Sequence, residues 1–420
     1  MSQIAPTAVS QPAWTGDRDF RVVLEANLGW FVHSGVMVPN DGLWGVAERV
    51  AVTEGNDAIE KMRSRFPAWT DHDGYCIIEQ RRADCNFQAA YLFLTASRVL
   101  NQPRYYDLGV AILDFLYFRS GLLNRTDANF PIGAWNWSHI RWEGVLWFDD
   151  NAWCIALPLE IARCFPELEA RYHLRHWAKQ LAQSYLAGFQ GACEATIFGN
   201  PEFAEVPWQF QHWRGPVNQP HWGSLACMAL SRAAREFDLP GVPEVLANYH
   251  AFLKGMADSW NGSELSYALL GVCAAFRFTG RPETLELARR LGERVTNKMS
   301  AEGNLPSEHF EAPNGPHLVD TIYTVNWAVL ALQMLSRHAP EFYADCHKVL
   351  RLLAGIQDQT DAPQFHGCWR GMFDLQTGKW GGGDRYEGGA GSIYTGWTNA
   401  PIALAFALDA ENDCLFGAEQ

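Results

Sequence analysis

The segment VLWFDDNAWCIALPLEIA, Val145 to Ala162, sets Asp149 and Asp150 side by side among aromatic residues where an apolar helical pattern begins. Aspartates at a helix start cap its free amides and suit its dipole. Two carboxylates in an aromatic pocket are also what glycosidic bond hydrolysis uses, one as proton donor and one as nucleophile or base. Successive helical positions point about 100° apart, so one aspartate can cap while the other enters a cleft. Trp147, Phe148 and Trp153 would then tune its proton affinity.

Four other segments gather chemistry-bearing side chains. EQRRADCNFQAA holds Glu79, Arg81, Arg82 and Asp84. Here Arg82 and Asp84 suit sugar hydroxyls or a substrate carboxylate, or an internal ion pair that closes a rim. VPWQFQHWRGPVNQPHWGS carries Trp208, His212, Trp213, Arg214, His221 and Trp222, Trp–His pairs that make poor core but good sugar-stacking surfaces. No HxxxH or HExxH spacing occurs, so neither a metal nor another cofactor is expected. WGGGDRYEGGAGSIYTGWTN lacks the GK[ST] of a phosphate loop and presents Asp384, Arg385, Glu387, Tyr394 and Trp397. Glu387 reads as a second catalytic carboxylate or as an ion-pair partner of Arg385. NLPSEHFEAPNGPHLVDTIY adds Glu308, His309, His317 and Asp320, the histidines being proton shuttles or structural loop residues.

These segments punctuate a helical hydrophobic period. It predicts helices over 18–35, 79–99, 104–119, 149–165, 169–189, 221–236, 243–260, 264–279, 283–298, 319–338, 341–357 and 391–408. Residues 37–56 read as a short hairpin, and 122–148, 191–220 and 359–390 as long loops or short strands. Alternate helices, such as LSYALLGVCAAF, are apolar nearly all round and must be buried; the others are amphipathic. Six inner helices wrapped by six outer ones make an all-α (α/α)6 toroid. The expected organisation is one catalytic domain over 1–420, with 1–17 a flexible tail. An α-solenoid is the alternative, but no repeat or capping repeat is visible. Inner helices running the same way would bring all the segments above, together with Ser263 and Glu264, to one mouth.

Composition narrows the function. Of 420 residues, 48% are hydrophobic and 19% charged, enough apolar content for a sizeable core. A net charge of -14 argues against nucleic acid or an anionic membrane as partner. The 18 tryptophans exceed what packing usually needs and suit stacking on sugar rings. Ten cysteines without a CxxC, set in apolar helical runs, predict buried reduced thiols. No secretory leader and no membrane span are expected, so the expected location is the cytoplasm. Oligomeric state is left open.

WFDDNAW resembles the YDDNAWW-like segment of family 76 glycoside hydrolases, the α-1,6-mannanases. That resemblance implies Asp149 as nucleophile and Asp150 as acid/base on an inner helix. RRADCN and FDDNAW together are similar to the six-hairpin glycosidase superfamily, which includes unsaturated glucuronyl and rhamnogalacturonyl hydrolases and a β-glucuronidase family. There the resemblance implies a proton donor at Asp149 or Asp150. The same toroid hosts sugar 2-epimerases, which use paired histidines; here these would be drawn from His221, His309 and His317. The expectation is a hydrolase of oligosaccharides, uronic-acid-bearing ones favoured because Arg82, Arg214 and Arg385 could meet a sugar carboxylate. Catalysis would fall to Asp149, Asp150 and Glu387. Binding would fall to Arg82, Asp84, Trp147, Trp213, Arg214, His221, Trp222, His309, Arg385 and Trp397. A sugar epimerase or isomerase and a non-catalytic glycan-binding protein are the rivals.

Overall fold

The computed structural model describes residues 18–37, 41–55, 59–66, 68–140, 144–200, 212–256, 259–310, 312–381 and 389–417. The expected tail at 1–17 lies outside the described residues, as do Trp208, Asp384, Arg385 and Glu387.

Twelve helices build the body: α1 (Phe20–His33), α2 (Ala83–Val99), α3 (Pro103–Asp114), α4 (Phe148–Cys164), α5 (Leu174–Thr196), α6 (Pro220–Glu236), α7 (Val242–Met256), α8 (Gly262–Thr279), α9 (Pro282–Lys298), α10 (Val325–Ser336), α11 (Tyr343–Ile356) and α12 (Ala400–Ala410). The even-numbered helices pack in sequence around a ring, and α12 closes on α2. Each later odd-numbered helix lies against the inner helix before it, and α1 lies against α12. This is the (α/α)6 toroid.

The division into layers follows from residue pattern. In α8 every residue from Gly262 to Ala275 is buried, as an all-round apolar helix requires. In α9 the buried residues are Thr284, Leu287, Ala288, Leu291, Gly292 and Val295, a single stripe with charge on the other face. Small residues let the inner helices approach. At Gly271 of α8 an added Cβ would lie 2.3 Å from the carbonyl oxygen of Ser224 on α6.

Beside the first inner helix stands an antiparallel sheet in the order β2 (Trp69–His72), β3 (Tyr75–Ile78), β1 (Arg49–Val52), β9 (Ser392–Tyr394). The hairpin expected within 37–56 is therefore corrected: β1 pairs with β3 and β9, while the hairpin itself is β2–β3. Its turn is Asp73-Gly74, with Gly74 at φ +78°, the conformation that an Asp-Gly turn supplies. The later starts of α2, α10 and α12 have the same origin, since a strand precedes each: β3, β6 (Leu318–Asp320), which pairs with β7 (Met372–Asp374) and through it with β8 (Lys379–Trp380), and β9. The helix expected over 169–189 breaks at His173, φ +52°, and resumes as α5 to Thr196. All ten cysteines are free, and all but Cys164 are fully buried. Among the described residues no helix is long and apolar enough to cross a membrane.

The α6–α8 contact gives the first prediction. Gly271→Val should lower stability by at least about 2 kcal/mol, because the clash is with backbone and the site cannot expand. Denaturant unfolding reads this directly, and a change under about 0.5 kcal/mol would show that the helices do not approach this closely.

Candidate active site

The inner helices present their N-termini to one mouth, and their first turns carry the polar groups. Arg82, extended at φ -103° just before α2, anchors the cluster. Its guanidinium meets Glu48 at 3.3 Å, Asp84 at 3.0 Å and Asp150 at 2.5 Å. The Trp397 indole donates to Asp84 at 2.6 Å. Trp137 and Trp397 place their rings 5.4 and 5.7 Å from the guanidinium carbon. Arg49 also meets Glu48, at 3.2 Å, so two guanidiniums face these three buried carboxylates and one carboxyl is left without a cation of its own. Asp150 is the one that yields. Burial above all, reinforced by Asp84 and Asp149, pushes its carboxyl well above the usual range against the pull of Arg82.

Its neighbour Asp149 turns to a different partner. Asp149 Oδ2 lies 3.2 Å from His221 Nε2, and Oδ1 is buried without a hydrogen-bond partner. The His221 ring is clamped between Trp222 at 4.3 Å and Tyr267 at 4.4 Å, nearly parallel to both. Its backbone amide donates to Glu264 Oε2 at 2.8 Å. Burial raises the Glu264 carboxyl, against the pull of His221. His309 stands 5.8 Å from His221, ring centre to ring centre, and stacks on Tyr323 at 4.0 Å. Burial first, then His221, pushes the His309 imidazole down to about 2, so it is neutral. Beneath lie Trp153 of α4, Tyr267 of α8 and Trp397, all within 5.6 Å of the Trp327 ring of α10.

Of the residues singled out in the sequence, the structure thus brings together Arg82, Asp84, Asp149, Asp150, His221, Trp222, His309 and Trp397. Trp147 opens the cleft wall on β4 (Leu146–Trp147), pairing with Arg214 on β5 (Trp213–Arg214). Trp213 packs into the wall, 5.2 Å from Phe148 and 4.9 Å from Tyr185 of α5. Arg214 is exposed and donates to the Trp213 carbonyl at 2.9 Å. Glu308 accepts the Gly262 amide at 2.7 Å and pairs with Lys298, so it serves the start of α8. The His317 carbonyl accepts the amide of Leu375 at 2.9 Å.

Tyr267, Tyr323 and Trp137 join the site without having been singled out in the sequence, and Glu264, expected at the mouth, joins it without having been given a role. Glu264 follows Asn261 by three, the spacing of a helix cap, and Asn261 does accept its amide at 2.9 Å. The Glu264 side chain reaches across to α6 instead of back to the cap.

The mouth of carboxylates, histidines and indoles on a ring of six helical hairpins defines the six-hairpin (α/α)6 architecture shared by glycoside hydrolases and sugar epimerases. Among solved structures the chain is similar to a cellobiose 2-epimerase from Bacillus thermoamylovorans, at 12% identity over 92% of this chain and 97% of that one, TM-score 0.60. It is similar to an unsaturated glucuronyl hydrolase from a Bacillus species, at 13% identity over 92% and 96%, TM-score 0.59. It is also similar to an inactive α-1,6-mannanase variant from a Salegentibacter species, altered at two adjacent aspartates and bound to α-1,6-mannotriose, at 9% identity over 94% and 100%, TM-score 0.52. At these identities the shared property is the fold. No protein-family model matches the chain, and no curated protein matches it in sequence.

Asp320 positions one wall of the site. Its carboxylate accepts the amides of Ile322 and Tyr323 and the hydroxyl of Thr324, fixing the turn that carries Tyr323 against His309. Burial nevertheless raises its carboxyl to about 6. The folded state therefore binds a proton more tightly than the unfolded chain, so this group's contribution to stability is present below about pH 4 and is lost as pH rises through 6. Asp320→Asn removes that loss. Relative to the parent, D320N should gain on the order of 2 kcal/mol between pH 4 and pH 7 in denaturant unfolding. An unchanged difference at the two pH values would refute the buried, proton-holding Asp320.

Proposed function

We propose that this chain is a glycoside hydrolase acting on short oligosaccharides, with Asp150 as proton donor and Asp149 as the companion carboxylate. One observation carries the reading: adjacent carboxyls at one cleft, the first facing a histidine with an open oxygen and the second held toward its protonated form by burial. Setting neighbouring carboxyls in contrasting environments is how an enzyme divides acid from nucleophile or base. The protonated Asp150 would deliver its proton to the glycosidic oxygen. Asp149 Oδ1 would attack the sugar carbon or draw a proton from water, with His221 holding the carboxylate in place. The indoles of Trp222 and Trp397 supply stacking faces. The mannanase structure inactivated at two adjacent aspartates lends support by analogy.

A neutral sugar fits better than the uronic acid expected from sequence. Arg82 is engaged by Glu48, Asp84 and Asp150, and the cleft adds Asp149 and Glu264. An anionic sugar would meet like charge there.

A second reading, sugar epimerisation or isomerisation, draws on the His221–His309 pair 5.8 Å apart. One imidazole of the pair would take a proton from a sugar carbon and the other return it, which requires a bound sugar to restore the basicity that burial removes from His309.

Product analysis on neutral and uronic oligosaccharides separates the two, since hydrolysis releases new reducing ends and epimerisation yields an isomer of equal mass. D149N and D150N keep the size of each side chain, and neither residue caps α4, whose N-cap is Trp147, so both should fold, D150N with lowered stability because it removes the charge that Arg82 meets. Turnover should fall roughly 10²–10⁴-fold in at least D150N. Near-full turnover in both variants on a true substrate would make the pair structural.

A further inference from the structure

We propose that His221, Glu264 and His309 form a binding site for one divalent metal ion of the zinc type. Each offers one ligand atom, and these atoms all lie within 4.8 Å of one another. Two imidazoles and a carboxylate are a donor set that zinc accepts, with a fourth position left open for water or substrate. The three side chains come from separate elements, α6, α8 and the loop before β6, so no local spacing in the sequence announces them.

Three features mark a built site. All three residues are buried, with exposures of 5%, 6% and 0% for His221, Glu264 and His309. Both rings are fixed in orientation by stacking, His221 between Trp222 and Tyr267, and His309 on Tyr323. Finally, His221 already has the outer partner that a ligating histidine requires. Metal-bound imidazoles present their far nitrogen to a carboxylate, which fixes the tautomer and raises the basicity of the ligating nitrogen. Asp149 Oδ2 stands 3.2 Å from His221 Nε2 as a close charge neighbour, and both ring nitrogens of His221 are buried without an aligned hydrogen-bond partner.

Charge points the same way. Asp149 and Glu264 flank His221, and among the described residues no lysine or arginine ion-pairs with either. Burying two carboxylates around a single imidazole is costly, and a dication would offset both. The competing arrangement is a metal-free imidazolium held between Asp149 and Glu264. The ion's open position would face the cleft of Asp149 and Asp150, where it would polarise a water or a sugar hydroxyl. Only this last step rests on the hydrolase reading.

The test uses the full chain, stripped with a chelator and titrated with zinc sulfate by calorimetry, with metal content counted after desalting. One zinc per chain and a raised melting temperature are expected. H309A and E264Q should abolish stoichiometric binding, and H309Q covers the case in which H309A does not fold. D149N should weaken binding roughly 10–100-fold, as loss of an outer partner does. D150N should bind as the parent does. Absence of saturable binding in the parent, or binding undiminished in both H309Q and E264Q, would overturn the site and leave the imidazolium arrangement. Hydrolysis by a chain that binds no zinc overturns this proposal alone, whereas one bound zinc without hydrolysis of any oligosaccharide overturns the hydrolase reading alone.

Discussion

The mouth of the barrel hangs on one buried positive charge. Arg82 ties Glu48 ahead of β1, Asp84 of α2 and Asp150 of α4 to a single guanidinium, and Asp84 in turn holds the Trp397 indole just ahead of α12. These contacts span the seam at which the first and last inner helices meet. Gly396 lets that seam close, since a Cβ there would lie 2.4 Å from the Cα of Cys85. Breaking a buried pair of this kind costs several kcal/mol because it leaves carboxylates uncompensated. The same arrangement is incomplete in charge: Arg49 adds a second cation on Glu48, yet two cations face three anions, and burial pushes the Asp150 carboxyl well above the usual range. Ring closure and the acid of the proposed reaction therefore share one cause.

A toroid of hairpins suits such a cluster because it aligns inner helices. Each N-terminus carries a partial positive charge and unpaired amides, so carboxylates gathered there are tolerated where an apolar core would reject them. Aromatic rings from α4, α8, α10 and the turn before α12 exclude water below the cluster, which strengthens each electrostatic interaction above it.

The layered helices were legible because their signal is local. LSYALLGVCAAF is apolar on every face and can only be buried, and the ring follows from six such segments. The opening aspartates were legible for a similar reason, since WFDDNAW puts charge at a position where burial needs a cause. What escaped was set by distant partners. The helix expected from 319 begins only at Val325, because Asp320 binds the amides of Ile322 and Tyr323 and diverts the chain into a turn. Glu264 was expected at the mouth, but its partner there, an amide 43 positions away, has no local signal. Trp213 looked like a sugar platform, yet Gly188 on α5 leaves the space that its ring fills in the wall. Arg82 read either as a substrate ligand or as an internal ion pair closing the rim, and only the fold, through Glu48 and Asp150, selects the second. The one miss that the sequence could have prevented is the hairpin, whose Asp73-Gly74 turn is a local signal.

The opposite end of the barrel shows what a purely structural carboxylate looks like in this chain. Glu160, toward the C-terminal end of α4, is fully buried. Arg163 binds it through two nitrogens, and Arg232 of α6 approaches to 3.6 Å while also holding Glu236. Arginines there meet the negative ends of the helix dipoles, so charge and fold agree. At the mouth the balance is reversed. Asp149 has a histidine and an open oxygen, and Glu264 has a backbone amide and a charge that burial disfavours. A sequence that meets buried Glu160 at one end and buried Glu48 at the other with two arginines each, yet gives Asp149 and Glu264 none among the described residues, has kept those two carboxylates in a state that only a substrate, a proton or an ion completes. That contrast, within one barrel and between identical chemical groups, is the physical reason to place the chemistry at the N-terminal mouth.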